Sequence, residues 1–256
     1  MVNMYEKGTV RVEKSDGIAT MYFDNPPVNA IELKVLDDLD QALSYLEADE
    51  AVRAVVFTGK GDCLSAGLDL KVIPGYNPAE QRQLVEAVNS VVLRIFSLPV
   101  PTVVAANGHA IAGGFIILMA FDYRVCTSSP CQLGVTESRL GIPFPIATLE
   151  VVRSGLAPQV SRRLMLTGIT IGPEEALAGG IVDELQPPEL VLPRAQEMAS
   201  YLAGLPHGGY AKIKRQLREE TITLIEEVIA AGDPLLKTWI DAEAAAASIE
   251  HLADEP

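Results

Sequence analysis

Two short glycine-bearing stretches have the composition to present bare backbone N–H groups to a negatively charged oxygen. The first is CLSAGLDL, residues 63–70, directly after the strand-like AVVFTG. Its small residues permit close backbone approach, and Gly67 can take dihedrals that expose the N–H of Leu68. The second is AANGHAIAGGFIILMAF, residues 105–121, where TVVAAN runs into GHAIAGG and then into an apolar helical run. Small Ala112 and Gly113 leave the first N–H groups of that helix uncovered, at the end where the macrodipole is positive. Either turn alone reads more readily as structural punctuation. Together, each following a strand, they supply the pair of donors that stabilises an enolate oxygen formed from a thioester carbonyl.

The side chains that could move a proton are fewer. Glu137, in GVTESRLGI, taken by itself fits an exposed carboxylate at a helix start paired with Arg139 better than a general base. His109 lies in the glycine loop without an evident Asp partner, which favours a loop or packing role. Asp69 suits the cap of a short helix. Glu86 and Glu150 are further carboxylates that folding could bring to the same place.

Alternating strands and helices must position these groups. Strand-like runs at 9–12, 18–23, 54–58, 102–106 and 123–126 are each bounded by Gly, Asn, Asp or Pro. Helical periodicity over 32–47 aligns Val35, Leu36, Leu39, Leu43 and Leu46, and over 78–96 aligns Leu84, Val88, Val91, Val92 and Ile95. This predicts a layered α/β core on a mixed sheet. After about Pro143 the pattern predicts helices only, at 147–154, 158–166, 173–178, 190–203, 209–231 and 234–252. A core over 1–195 and a helical C-terminal region over 196–256 are the expected organisation.

With a net charge of -14, the chain is not expected to bind nucleic acid or an anionic membrane through bulk electrostatics, so an anionic ligand needs a local site. The three cysteines form no CxxC pair, which points away from a disulfide framework or a zinc site. The most apolar stretch, 111–121, is shorter than the roughly 18–20 residues of a membrane span, and the charged first residues predict a cytoplasmic protein.

In order along the chain, FDNPPVNAIELKVLDDL, VVFTGKGDCLSAGLDL, ANGHAIAGG, FDYRV, LGVTESRLGIPFP and LTGITIGPEEALAGGIVDEL resemble the crotonase, or enoyl-CoA hydratase/isomerase, superfamily. The resemblance implies an α/β spiral of stacked ββα units with C-terminal helices that cover the site and assemble a homotrimer or a dimer of trimers. It implies an acyl-CoA thioester substrate whose carbonyl oxygen sits between the N–H groups of Leu68 and Gly113. Ala66, Gly67, Leu68, Asp69 and Leu70 would line the CoA site, and Thr136 would contact substrate. CoA is then part of the substrate, and neither a metal nor a redox cofactor is implied.

Hydratases of this type carry one glutamate aligned with Ile116 and another aligned with Glu137. Only the second is present, and a single glutamate shuttling one proton is the pattern of mitochondrial-type Δ3,Δ2-enoyl-CoA isomerases. For that role Glu137 needs an apolar pocket, with Ile116, Phe115, Leu140, Ile142 and Phe144 as candidate lining. Lys34, Lys71, Lys212, Lys214 and Lys237 are candidates for the CoA phosphates. The alternatives are a hydratase or another acyl-CoA transformation through the same oxyanion hole, and a catalytically silent acyl-CoA-binding or assembly protein.

Overall fold

The chain coils so that each turn lays one strand in a large sheet, one in a small sheet, and then a helix. The computed structural model describes residues 3–254. An antiparallel meander of β1 (Asn3–Lys7), β2 (Val10–Ser15) and β3 (Ile18–Phe23) leads into α1 (Leu33–Glu47). The first full turn is β4 (Ala54–Gly59), β5 (Cys63–Ser65) and α2 (Pro78–Ser97). The second is β6 (Thr102–Ala106), β7 (His109–Ile111) and α3 (Gly113–Ala120), and the third is β8 (Tyr123–Thr127), β9 (Leu133–Gly134) and α4 (Glu137–Leu140). Then follow α5 (Ile146–Gly155), α6 (Pro158–Thr167), α7 (Pro173–Ala178), β10 (Glu184–Gln186), α8 (Pro188–Ala203), α9 (His207–Ala231) and α10 (Ala242–Asp254).

The large sheet has the order β1-β2-β3-β4-β6-β8-β10, parallel from β3 onward, and the small one is β5-β7-β9, parallel throughout. Parallel neighbours in successive turns bring equivalent strand ends side by side. Ser65 at the end of β5 therefore pairs with Ala110 of β7, and whatever follows those two strands emerges together.

Strands β4 and β6 are buried along their whole length, as their unbroken apolar sequences require when both faces are covered. Ala54, Val56, Val103 and Ala105 face Val191, Ala195 and Ala199 of α8, while Val55, Phe57, Val104 and Ala106 face the main core. Helix α2 begins with a reciprocal cap: the Asn77 side chain accepts from the N–H groups of Ala79 and Glu80, and the Glu80 carboxylate accepts from Asn77 N–H. Helix α9 is pinned by Asp122, whose carboxylate accepts from Lys214 at 2.9 Å, Tyr210 at 3.0 Å and the N–H of Thr102 at 2.9 Å, and pairs with Arg218 at 2.9 Å. Removing one member of such a buried cluster strands the others at a cost of about 3–5 kcal/mol.

Several elements differ from the sequence expectation. Strands β1, β5, β7 and β9 were not anticipated, and β10 corrects the helices-only reading beyond Pro143; it forms because Glu184–Gln186 extends the parallel sheet beside β8. Residue 195, expected to end the core, lies inside α8, which runs unbroken over the sheet. The expected helix over 234–252 is two pieces, a 3-10 turn at Pro234–Leu236 and α10, separated by a stretch that the body of the protein holds by side-chain hydrogen bonds.

Candidate active site

After β5 the chain makes a tight turn that Ser65 and Ile31 hold. Ser65 Oγ donates to the carbonyl of Asn29 at 2.6 Å and accepts from Gly67 N–H at 3.1 Å. Ile31 N–H donates to the Gly67 carbonyl at 2.7 Å, and its own carbonyl accepts from Asp69 N–H at 2.8 Å. These bonds bracket Leu68, whose N–H has no partner among the described residues. Gly67 has φ +87°, a conformation that favours glycine.

The second turn, after β7, is built against the first. Ala112 donates to the Gly134 carbonyl at 2.8 Å and takes φ 51°, ψ −122°, an uncommon conformation for a residue with a Cβ, costing on the order of 1–3 kcal/mol. Gly113 then opens α3, and its N–H likewise has no partner among the described residues. A Cβ on Gly67 would lie 2.8 Å from the Gly113 nitrogen, so the two turns touch. A Cβ on Gly114 would lie 2.1 Å from the Ser65 carbonyl oxygen, which explains the second glycine: α3 must start in contact with β5. Two unpartnered N–H groups thus meet at the positive end of a helix.

Glu137 is the first residue of α4 and only 8% exposed. Its Oε2 is buried without a hydrogen-bond partner among the described residues. Burial pushes the carboxyl up to about 7, against the backbone N–H groups of Glu137 and Thr136, which favour the charged form. Buried, and joined to Arg139 by no ion pair among the described residues, it is not the exposed helix-start carboxylate that its sequence context allowed.

Leu68, Gly113 and Glu137 line one cleft that is otherwise almost wholly apolar. Ile116, Ile142 and Phe144 line it, joined by Val88, Val91 and Val92 of α2, and by Trp239. Phe115 does not line it: one residue before Ile116 on α3, it turns into the core and is 0% exposed. Leu140 also packs in the core rather than on the cleft. Thr136 is outside the lining, as the residue preceding α4, and its side chain makes no capping bond. Asp69 opens no α-helix; its carboxylate accepts from Lys71 N–H at 2.9 Å and shapes a turn ahead of a 3-10 turn at Ile73–Gly75. Ala66 and Leu70 flank Leu68 and are half-buried.

Neither spare carboxylate reaches the cleft. Glu86 is exposed, and Glu150 is buried against Arg153 at 2.6 Å, so Glu137 is the one carboxylate lining the cleft among the described residues. His109 accepts from the N–H of Gln132 through Nδ1 at 3.2 Å, a loop-holding role. Of the candidate lysines, Lys214 is committed to Asp122 in the interior, which removes it as a candidate for the CoA phosphates. Lys34 pairs with Asp38 at 2.8 Å, while Lys71, Lys212 and Lys237 are exposed.

The α2 valines and Trp239 were not legible as site residues. The valines read simply as the apolar face of a helix. The only signal for Trp239 was that it is the single tryptophan of the chain.

Residues 13–253 match the family described as enoyl-CoA hydratase/isomerase. The chain belongs to that family. Among its relatives, Enoyl-CoA delta isomerase 1, mitochondrial, of Homo sapiens is 32% identical over 214 residues, covering 83% of this chain and 71% of the relative. The crystal structure of human mitochondrial delta3-delta2-enoyl-CoA isomerase superposes with a TM-score of 0.88 at 30% identity, covering 96% of this chain and 97% of that one. An enoyl-CoA hydratase from Mycobacterium ulcerans superposes with a TM-score of 0.82 at 30% identity over 88% of this chain and 99% of that one. The 4-chlorobenzoyl coenzyme A dehalogenase-2 of an Arthrobacter species is 30% identical over 223 residues, covering 85% of this chain and 80% of the relative. The enoyl-CoA hydratase/isomerase family thus accounts for the spiral fold, while the relatives are named for different reactions. The reaction must be read from the side chains in the cleft.

Proposed function

We propose that the protein is a Δ3,Δ2-enoyl-CoA isomerase in which Glu137 shuttles a single proton. The thioester oxygen of a 3-enoyl-CoA sits at the N–H groups of Leu68 and Gly113, which stabilise negative charge as it develops on that oxygen. The Glu137 carboxylate removes a proton from C2. The resulting dienolate spreads its charge to C4, and the same carboxyl group, now protonated, delivers the proton there. The double bond moves from C3–C4 to C2–C3, Glu137 returns to the carboxylate, and no external cofactor takes part.

The observation that carries this reading is the one carboxylate lining the apolar cleft among the described residues, buried and with its Oε2 unpartnered, beside two N–H groups that have no partner among those residues. A carboxyl near 7 is suited to both taking and returning a proton at neutral pH. Hydration needs a second group to orient water, and Ile116 stands where the family resemblance puts that second glutamate.

The test is to supply 3-hexenoyl-CoA and 2-hexenoyl-CoA to the wild type and to Glu137→Gln, following conjugated enoyl formation and water addition. Glu137→Gln is expected to lower isomerisation by at least a thousandfold while the fold is retained, since the one proton carrier is gone. Isomerisation that survives the substitution unchanged would sink the proposed base. Water addition outpacing isomerisation in the wild type would move the assignment to a hydratase.

A further inference from the structure

The cleft is walled by residues between Ile31 and Thr148 with one exception among the described residues, Trp239. That residue arrives on the segment after α9. Gly232, at φ +89°, ends the helix and lets the chain turn back across the body. Asp233 then enters a buried polar clamp. Its Oδ2 accepts from Asn89 Nδ2 at 3.0 Å and from Ile146 N–H at 2.9 Å, while Asn89 Oδ1 accepts from Ala147 N–H at 2.9 Å. Six residues on, Trp239 Nε1–H donates to the Pro143 carbonyl at 2.6 Å, and Ile240 N–H donates to Gln81 Oε1 at 3.2 Å.

This segment is fastened to α2 at both Gln81 and Asn89, and to the loop and helix start around 143–147. Asn89, Asp233 and Trp239 are each 5% exposed or less, so lifting the segment breaks hydrogen bonds between groups already withdrawn from water. The indole uses its single polar atom on Pro143, and its ring is left to face the apolar space beside Val88, Val91 and Val92. We propose that Trp239, held by the Asn89–Asp233 clamp, is the wall that limits the size of the acyl group this cleft accepts. The proposal rests on the acyl-CoA reading of the site and deepens it: the substrate class is a thioester of an apolar acyl chain up to a length that Trp239 sets.

Each methylene buried in an apolar cleft tightens binding by about fourfold. Affinity should therefore climb with chain length until the tail meets the indole, and then stop. Saturated acyl-CoAs from butanoyl to hexadecanoyl, titrated by calorimetry against the wild type, Trp239→Ala and Trp239→Phe, read this without any chemistry. The expected result is a plateau in the wild type that moves out by at least two carbons in Trp239→Ala, raising affinity for the longer chains about tenfold or more, with a smaller shift of the same sign in Trp239→Phe. Should the alanine variant fail to fold, the phenylalanine variant carries the test. A plateau at the same length in the folded variants overturns the proposal. Isomerisation of 3-enoyl-CoAs by the wild type, measured alongside, separates the two claims. A plateau that shifts without any isomerisation overturns the isomerase reading and leaves the Trp239 assignment standing, whereas isomerisation with an unshifted plateau does the reverse. Failure to bind any acyl-CoA overturns both.

Discussion

Glu137 carries the proposed chemistry because of where it is buried. Its carboxyl sits near 7 chiefly through desolvation, and its Oε2 has no partner among the described residues. A base must be deprotonated to work, and the fraction deprotonated grows as pH rises through the group's own value. On the isomerase reading, kcat/KM should therefore rise with pH, falling off about tenfold per unit well below 7 and levelling above it. A profile of kcat/KM between pH 5.5 and 8.5 checks this. A base with an ordinary carboxylate value would instead give a flat line across that range, which would count against the buried position of Glu137 as the source of its reactivity.

At the scale of elements, two strand-to-helix turns make one feature. Neither Leu68 nor Gly113 is held by its own element alone: the Gly67 turn rests on Ile31, Ser65 and the start of α3, and the α3 start rests on Ser65 and Gly134. Gly67→Ala should accordingly damage both donors. The new methyl faces φ +87° and the Gly113 nitrogen at 2.8 Å, and either the turn or the helix start must shift. Losing one donor of such a pair costs about a hundredfold to a thousandfold in kcat, and a loss of that size is expected with the circular dichroism spectrum retained. A folded Gly67→Ala enzyme within threefold of wild-type kcat would show that the two turns do not form the oxyanion site.

For the whole molecule, α9 has two unlike faces. Lys214 and Arg218, four residues apart, point inward to Asp122, while Ile213 and Leu217, also four apart, are 66% and 83% exposed. Large aliphatic side chains that far out of the core suit contact with another subunit. We propose a homotrimer in which this face of α9 is buried. Sedimentation equilibrium should then give three times the 27.4 kDa chain mass, and Ile213→Glu with Leu217→Glu should shift it toward the monomer without unfolding it. A wild type that stays at the single-chain mass at micromolar concentration would refute this arrangement.

Helix α2 announced itself because its period repeats locally over 20 residues, β6 as a short strand-like run bounded by Pro101 and Asn107, and α7 through Pro173 at its start and Gly179 and Gly180 at its end; all three fall within a residue of their expected bounds. The glycine turns were legible for the same reason, since Gly67 and the Gly113–Gly114 pair answer to backbone requirements a few residues wide. Strands β5, β7 and β9, two or three residues each, have too little length for any period and exist through lateral pairing between successive turns of the coil. The split of the expected last helix follows likewise from distant partners, Asn89, Pro143 and Gln81. By itself the sequence determined which residue types were available: two turns with bare N–H groups, one Glu after Thr136, an Ile at position 116. Only the tertiary structure decided that Leu68, Gly113, Glu137 and Trp239 share one cleft, that Phe115 and Leu140 do not, and that Lys214 belongs to the interior. Desolvation and contact between residues far apart in the chain exist only once the coil has closed.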